Sequence, residues 1–200
     1  MHNDTISFLF PLLLFAIGMC FIGWPKFVPV LHRHLLMKHG YNRPPDFIIG
    51  GTSSPYLLRW YLTPWSRYDR RNPPLWAQIT KRLLPNIYLH HFLRSDDDRA
   101  LHDHPWFNAS ILLKGGYYEH TRKGERILRT AGSLIFRSPW TAHRVELFRV
   151  PYERDAALWF ELDCWTLFMT SPRVREWGFL CPKGWLNWQK FGDQNGCGES

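Results

Sequence analysis

Short strand-like segments fill the second half of this 200-residue chain, from Asn86 onward, and they restrict its fold more than any other feature. Turn signals such as Gly115-Gly116 and Ser138-Pro139 separate them. The candidate strands are 87–94, 107–114, 117–122, 125–130, 133–137, 143–148, 156–162, 164–170 and 174–180. Short strands at a spacing of roughly 8–12 residues predict a β-sandwich or barrel. Because no helical pattern interrupts them, a parallel α/β sheet is disfavoured.

Three of the ten histidines fall in a pattern typical of a metal site. His102 and His104 flank Asp103, and side chains at positions i and i+2 of an extended segment share a face. His143 begins another candidate strand and could supply a third ligand from a neighbouring strand. Three neutral imidazoles bind Fe(II), Ni(II), Cu(II) or Zn(II) and leave coordination positions open for water, substrate or dioxygen.

The first of these segments resembles a motif of the cupin superfamily, His-x-His-x(3–4)-Glu-x6-Gly. His102, His104 and Gly115 match it in type and spacing, and Asn108 stands where the motif has glutamate.

The second segment resembles the other cupin motif, which is roughly Gly-x5-Pro-x-Gly-x2-His-x3-Asn. Gly132, Pro139 and His143 match it, with one extra residue before the proline and no second glycine. The resemblance covers about residues 86–170 and implies a mainly β fold, a jelly-roll (double-stranded β-helix) barrel with a metal at its mouth.

The loss of the motif glutamate leaves a three-His site similar to that of the thiol dioxygenases in the same superfamily. The resemblance therefore implies a divalent metal cofactor, with Fe(II) favoured over Zn, Ni, Mn or Cu. The expected function is that of an Fe(II)-dependent dioxygenase acting on a small anionic or lipid-derived substrate. The alternatives are a metal-dependent or metal-free isomerase or epimerase, and a non-catalytic cupin that binds a small ligand.

Two further side chains are candidates for catalysis. Asn108 could offer a weak oxygen ligand or a hydrogen bond to a water on the metal. Arg137 shares a strand face with Ile135, and in the barrel mouth its guanidinium would clamp a carboxylate or phosphate of the substrate. Surface exposure is the alternative for Arg137 in a chain with a net charge of +8.

Four more residues are weighed as part of the substrate site. His90 or its neighbour His91 could face inward, but not both, and we place His90 in the substrate-binding set with Tyr118 and Trp140. Glu119 could replace the missing motif glutamate, although alternation leaves solvent as its more natural environment. The run 96–98 of aspartates predicts a solvated loop, in which one carboxylate could orient a ligand histidine.

The amino terminus predicts a membrane anchor, residues 1–24. Ile6 to Trp24 carries no charge over 19 residues, and about 28 Å of helix would nearly cross a hydrocarbon core of about 30 Å. A signal peptide is disfavoured, because the first five residues contain no Lys or Arg, and a buried helix packed on the barrel is the remaining alternative. The basic residues that follow, beginning with Lys26, place the soluble domain in the cytoplasm, on the cytoplasmic side of an inner membrane.

The remaining divisions follow from composition. The composition of residues 25–85 predicts a helical and irregular connector rich in basic and aromatic residues. The barrel is expected over residues 86–190 and a flexible tail over residues 191–200. The four cysteines show no metal spacing and are interpreted as reduced. The expected partners are a small anionic molecule, the membrane and, from the cupin resemblance alone, a second copy of the chain. Nucleic acid ranks last, because the basic residues are scattered.

Overall fold

The computed structural model describes residues 23–67, 72–96, 100–152, 155–193 and 196–197. Three α-helices are present in this part of the chain: α1 (Trp24–Leu35), α2 (Leu75–Leu83) and α3 (Trp188–Asp193). A π-helical turn, Leu36–Gly40, extends α1, and a 3-10 turn, Pro64–Ser66, precedes α2. The first helical segment ends at Gly40, and Pro74 is the N-cap residue of α2.

Fourteen strands occupy most of the rest of the described chain. They are β1 (Phe47–Ile49), β2 (Leu57–Tyr61), β3 (Asn86–Phe92), β4 (Leu101–His102), β5 (Asn108–Lys114), β6 (Gly116–Thr121), β7 (Arg126–Thr130), β8 (Leu134–Arg137), β9 (His143–Leu147), β10 (Arg149–Tyr152), β11 (Asp155–Glu161), β12 (Cys164–Thr170), β13 (Gly178–Cys181) and β14 (Gly184–Asn187).

Two six-stranded antiparallel sheets form the body of the molecule. The first has the strand order β1-β2-β3-β12-β5-β8 and the second β14-β13-β4-β9-β6-β7, while β10 and β11 form a separate hairpin. The first sheet therefore extends across the boundary predicted at residue 86, because β1 and β2 come from the segment 25–85. The composition of this segment does not indicate two strands, because proline, glycine and serine surround them.

Side chains from the two sheets meet in the barrel interior. Leu112 and Cys164 of the first sheet pack with Tyr117, Val145 and Leu147 of the second in one buried cluster. Alternation along the strands sends every second residue into this interior. Ile135 and Arg137 of β8 are both buried, which is the face assigned to them from the sequence.

The other face of the first sheet is covered by α1. Phe27, Val28, Leu31 and Leu35 recur at helical spacing and are buried against the sheet. Trp60 of β2 belongs to the same cluster. The interior of the barrel is thus left to the residues that point away from α1.

The membrane prediction is corrected here. No helix within the described residues is long and apolar enough to cross a membrane. Most of the predicted span, residues 6–22, lies outside the described residues, but Trp24 is inside them. Its indole donates to the carbonyl of Gly132, so Trp24 packs on the protein instead of marking a membrane interface.

Two further predictions fail at the carboxyl terminus. Cys181 and Cys197 form a disulfide, whereas the cysteines were expected to be mostly reduced packing residues; Cys164 is free and buried. Phe191 of α3 stacks on Phe179 of β13 with ring centroids 3.7 Å apart. The described part of the predicted tail is therefore fixed to the second sheet by a covalent bond and an aromatic contact.

Candidate metal centre

The structure brings His102, His104 and His143 together between the two sheets. His102 of β4 pairs directly with His143 of β9, and His104 follows two residues after His102. One nitrogen from each ring lies within 4.8 Å of the others. Antiparallel pairing of β4 and β9 therefore joins two segments that are far apart in the sequence.

The ring nitrogens fit a shared cation. Nε2 of His104 lies 2.9 Å from Nε2 of His143. This is a hydrogen-bond distance between the two rings, and it is also close to the spacing of about 3.0 Å between two nitrogen ligands at right angles on an octahedral ion, each about 2.1 Å from the metal.

Burial keeps two of these imidazoles neutral. It lowers the pKa of His104 well below the ordinary value, and the neighbouring histidines and Arg137 act in the same direction. Burial also lowers the pKa of His143 to about 4, with a further contribution from the charge of Arg137. Neutral imidazole is the form that binds a metal, so both rings are ready as ligands at neutral pH.

Glu119 lies beside the ring of His143. Its Oε1 is 3.1 Å from Nδ1 of His143 without meeting hydrogen-bond geometry, and this contact favours the tautomer with the proton on Nδ1. Burial alone would raise the pKa of Glu119, but the contact with His143 and the charge of Arg137 outweigh it and hold the pKa well below its ordinary range. Glu119 is only 3% exposed, so the expectation that it faces solvent is wrong.

Arg137 points into the barrel, as predicted, but it is held by protein groups. Its Nε donates to Glu119 Oε1 at 2.7 Å and its Nη2 to the hydroxyl of Tyr117 at 3.3 Å. Arg129 donates to the other oxygen of Glu119 at 2.8 Å. The guanidinium of Arg137 therefore neutralises a buried carboxylate, and its assignment as a substrate clamp stays a prediction.

Asn108 lies in the interior beside Arg137, its register partner on β8. It is 5% exposed, and neither its amide oxygen nor its amide nitrogen has a partner among the described residues. The hydroxyl groups of Thr166 and Thr170 on β12 are buried and unpartnered in the same way. Thr170 is the register neighbour of Asn108, so polar atoms without partners adjoin each other on the barrel wall.

His90 is the inward member of the pair His90-His91. It is 3% exposed and stacks on Phe168, whose ring also lies near that of His104. Nε2 of His90 accepts a hydrogen bond from Nε of Arg59 at 2.8 Å, so this imidazole is neutral with its proton on Nδ1. Sequence reasoning missed Arg59, because it placed the residue in the connector instead of on a strand.

The other two substrate-binding candidates lie elsewhere. Tyr118 is on the face of β6 opposite to Glu119 and lines an outer pocket with Arg126, Glu146 and Phe148. Trp140 is 65% exposed, and its ring contacts Phe107. The structure therefore does not bring Tyr118 to the three histidines, because alternation turns it to the outside.

The aspartate run contributes one residue to the surroundings of the site. Asp96 accepts a hydrogen bond from the backbone of Val145 at 2.7 Å, and its Oδ2 lies 3.8 Å from Nδ1 of His102. Asp97 and Asp98 lie outside the described residues. Asp96 thus fixes the chain beside β9 and does not hydrogen-bond the ligand histidine.

Two facing antiparallel sheets with the His-x-His segment and the third histidine on adjacent strands form the jelly-roll arrangement that the sequence motifs imply. The predicted mainly β architecture is therefore confirmed, and no helix within the described residues could cross a membrane.

Comparisons with known proteins give only structural likenesses of low sequence identity. No family model matches the sequence, and no curated protein is similar to it. Among solved structures, the chain is similar to a cupin-2 domain protein from Rhodospirillum rubrum, with 11% identity over 69% of this chain and 76% of that one and a TM-score of 0.44.

Two enzymes are also among the similar structures. A polyketide cyclase from Streptomyces resistomycificus shares 13% identity over 66% of this chain and 71% of its own, with a TM-score of 0.39. The DMSP lyase DddQ from Ruegeria pomeroyi shares 12% identity over 44% of this chain and 38% of its own, with a TM-score of 0.32. The reaction therefore has to be argued from the site itself.

Proposed function

We propose that this protein is a cupin and a metal-dependent enzyme that acts on a small anionic substrate, with a divalent cation held by His102, His104 and His143. The observation that carries the proposal is the convergence of one ring nitrogen from each of the three histidines within 4.8 Å of the others. The carboxylate of Glu119 supports it, because its contact with Nδ1 of His143 favours the tautomer whose Nε2 can bind a metal.

The charge of the site favours an anion. The three ligands are neutral imidazoles when they bind a cation, so the ion keeps its full charge. The carboxylate beside His143, Glu119, is already neutralised by Arg137 and Arg129. A carboxylate-bearing substrate would supply the missing negative charge.

The barrel wall offers hydrogen bonds for the same substrate. Asn108, Thr166 and Thr170 present buried polar atoms that have no partner among the described residues. Such groups cost free energy unless a ligand or water satisfies them, so they are expected to bind oxygen or nitrogen atoms of the substrate. Asn108 retains its predicted role at the site, as a hydrogen-bonding group beside the histidines.

The reaction we favour is an Fe(II)-dependent dioxygenation. Bound Fe(II) would supply dioxygen chemistry, and a three-His set leaves coordination positions open for it. The protein residues would hold the substrate by hydrogen bonds from Asn108 and exclude water by the packing of Phe168 against His90 and His104. The identity of the metal and the reaction both belong to the proposal.

Metal content tests the centre. Purified wild-type protein is expected to bind about one equivalent of Fe(II), Zn(II) or another divalent ion, and His102→Ala and His143→Ala are each expected to abolish binding. His120→Ala is the matched control, because His120 lies on the outer face of β6 and contacts Glu146. Retention of full metal occupancy in both site variants would overturn the proposal.

Oxygen consumption tests the reaction. Fe(II)-loaded protein is incubated with pools of small carboxylic acids, and substrate-dependent oxygen uptake is expected from the wild type and not from His143→Ala. Turnover of a substrate without oxygen uptake would replace dioxygenation by isomerisation or another metal-assisted reaction. Binding of a pool member with no turnover would instead make the protein a ligand-binding cupin.

A further inference from the structure

The carboxylate of Asp103 lies between two of the histidines but is turned toward the carboxyl-terminal segment. It is 4% exposed and accepts hydrogen bonds from the backbone of Gly178 at 2.8 Å, the indole of Trp185 at 2.9 Å and Nη1 of Arg175 at 2.6 Å. The backbone N–H of Asp103 also donates to the carbonyl of Gly178 at 3.0 Å. The His-x-His segment is thereby fixed to β13 and β14.

Arg175 links this segment to the other ligand strand. The same Nη1 atom that donates to Asp103 also donates to the carbonyl of Pro139 at 2.8 Å. Pro139 belongs to the turn that leads into His143, and the backbone N–H of Thr141 closes that turn on Ser138. One guanidinium nitrogen therefore joins the chain next to His102 and His104 to the chain that precedes His143.

The surroundings of Arg175 restrict its position. Its guanidinium lies 5.4 Å from the ring of Trp185 and 5.9 Å from that of Trp140, within the range of cation–π contacts. Its backbone N–H donates to the carbonyl of Pro105, the residue after His104. The Asp103–Arg175 pair is accordingly held from several sides.

We propose that Asp103 and Arg175 are positioning residues that set the distance between the His102/His104 segment and His143. They touch neither the candidate ligand atoms nor the space between them, and they act through the backbone on either side. This inference rests on the proposed metal centre. Beyond that centre, it assigns to the carboxyl-terminal segment the role of holding the three histidines at the correct spacing.

The spacing matters because metal ligands tolerate little displacement. Removing groups that orient ligands typically lowers metal affinity by about 10- to 100-fold. Arg175→Gln removes the bridge, whereas Arg175→Lys keeps a charged donor on the same segment. We expect about tenfold weaker Zn(II) binding for Arg175→Gln and for Asp103→Asn, with partial rescue in Arg175→Lys.

The experiment titrates the full-length apoprotein with Zn(II) by calorimetry and with Co(II) by visible absorption. Arg126→Gln is the control, because Arg126 forms an equally direct but exposed pair with Glu146 on the outside of the barrel. The Co(II) spectrum is expected to shift in Arg175→Gln and Asp103→Asn and to match the wild type in Arg126→Gln. A purely structural role would lower the melting temperature without altering the spectrum.

A double variant sharpens the test. If Asp103 and Arg175 act as one unit, Asp103→Asn/Arg175→Gln will lose no more affinity than either single variant. Wild-type Zn(II) affinity and an unchanged Co(II) spectrum in both single variants would overturn this inference alone. Failure of the wild type to bind either metal would overturn the proposed metal centre, and this inference with it.

Discussion

The buried ion pair between Glu119 and Arg137 allows stability and metal binding to be separated. The side chains of Glu119 and Arg137 are 4% and 3% exposed. The carboxylate of Glu119 also forms an ion pair with Arg129 and contacts Nδ1 of His143. Glu119→Met would leave the guanidinium of Arg137 buried without its counter-ion. Breaking a buried pair in this way costs about 3–5 kcal/mol of the free energy of unfolding.

That loss is readily measured. For a chain of this size each kcal/mol lowers the melting temperature by about 2–4 °C, so the metal-free variant is expected to melt about 6–20 °C below the wild type. The double variant Glu119→Met/Arg137→Met should regain most of this, because apolar side chains of similar volume replace a buried pair at little cost. Arg129 is 26% exposed at its side chain and can remain solvated.

Metal affinity should follow a different pattern. Both variants that lack Glu119 lose the carboxylate that orients His143, so Zn(II) binding is expected to weaken about 10- to 100-fold in the single and in the double variant. Arg137→Met keeps the contact between Glu119 and His143 and should bind Zn(II) nearly as the wild type does. Differential scanning fluorimetry of metal-free protein and calorimetric Zn(II) titration measure the two quantities. Wild-type affinity in the double variant would refute the role assigned to Glu119.

Three further predictions concern stability away from the candidate metal centre. Cys181→Ser removes the disulfide between two cysteines that are 16 residues apart, and it should lower the free energy of unfolding in urea by up to about 3 kcal/mol. An unchanged urea midpoint would show that the disulfide does not stabilise the fold. Burial lowers the pKa of His39 to about 4 from 6.5, so the unfolded chain takes up the proton first and stability should fall, by up to about 3 kcal/mol, as the pH drops from 6.5 to 4. Urea unfolding at pH 7 and pH 4.5 should show a smaller fall for His39→Leu, and equal falls would exclude this contribution. Leu89 is fully buried, so Leu89→Ala should lower the free energy of unfolding by about 2–5 kcal/mol in thermal or urea unfolding. Leu158 is 58% exposed, so Leu158→Ala should lower it little. Equal effects of the two variants would show that Leu89 does not lie in the core.

The sequence predicted those parts of the site that depend on local alternation. His102 and His104 share a face because they are two residues apart, and Arg137 is buried because it shares a strand face with Ile135. The motif spacing supplied the third histidine. Each of these inferences needed only the period of a strand and the order of two motifs.

Long-range pairing decided what the sequence could not. Glu119 alternates with Tyr118, and only the pairing of β6 with β9 determines that Glu119 is the one that meets His143. Arg59 reaches the interior because β2 adds to β3, a pairing that a five-residue strand within an irregular segment does not reveal. The same holds for Cys181 and Cys197, whose spacing resembles no metal site and whose disulfide depends on how the carboxyl terminus folds back.

The position of Glu119 bears on how this chain differs from the cupin motif that it resembles. Asn108 replaces the motif glutamate, and the nearby carboxylate of Glu119 meets the far nitrogen of His143 instead of the side where a cation would bind. Two arginines compensate this carboxylate, so it adds no negative charge to the ligand set. A cation held by the three imidazoles would therefore keep its charge, and an anionic group of the substrate is the natural counter-ion. On this reasoning, restoring the motif carboxylate by Asn108→Asp would tighten Zn(II) binding and weaken the binding of carboxylate ligands, and the opposite pair of effects would show that the charge argument is wrong.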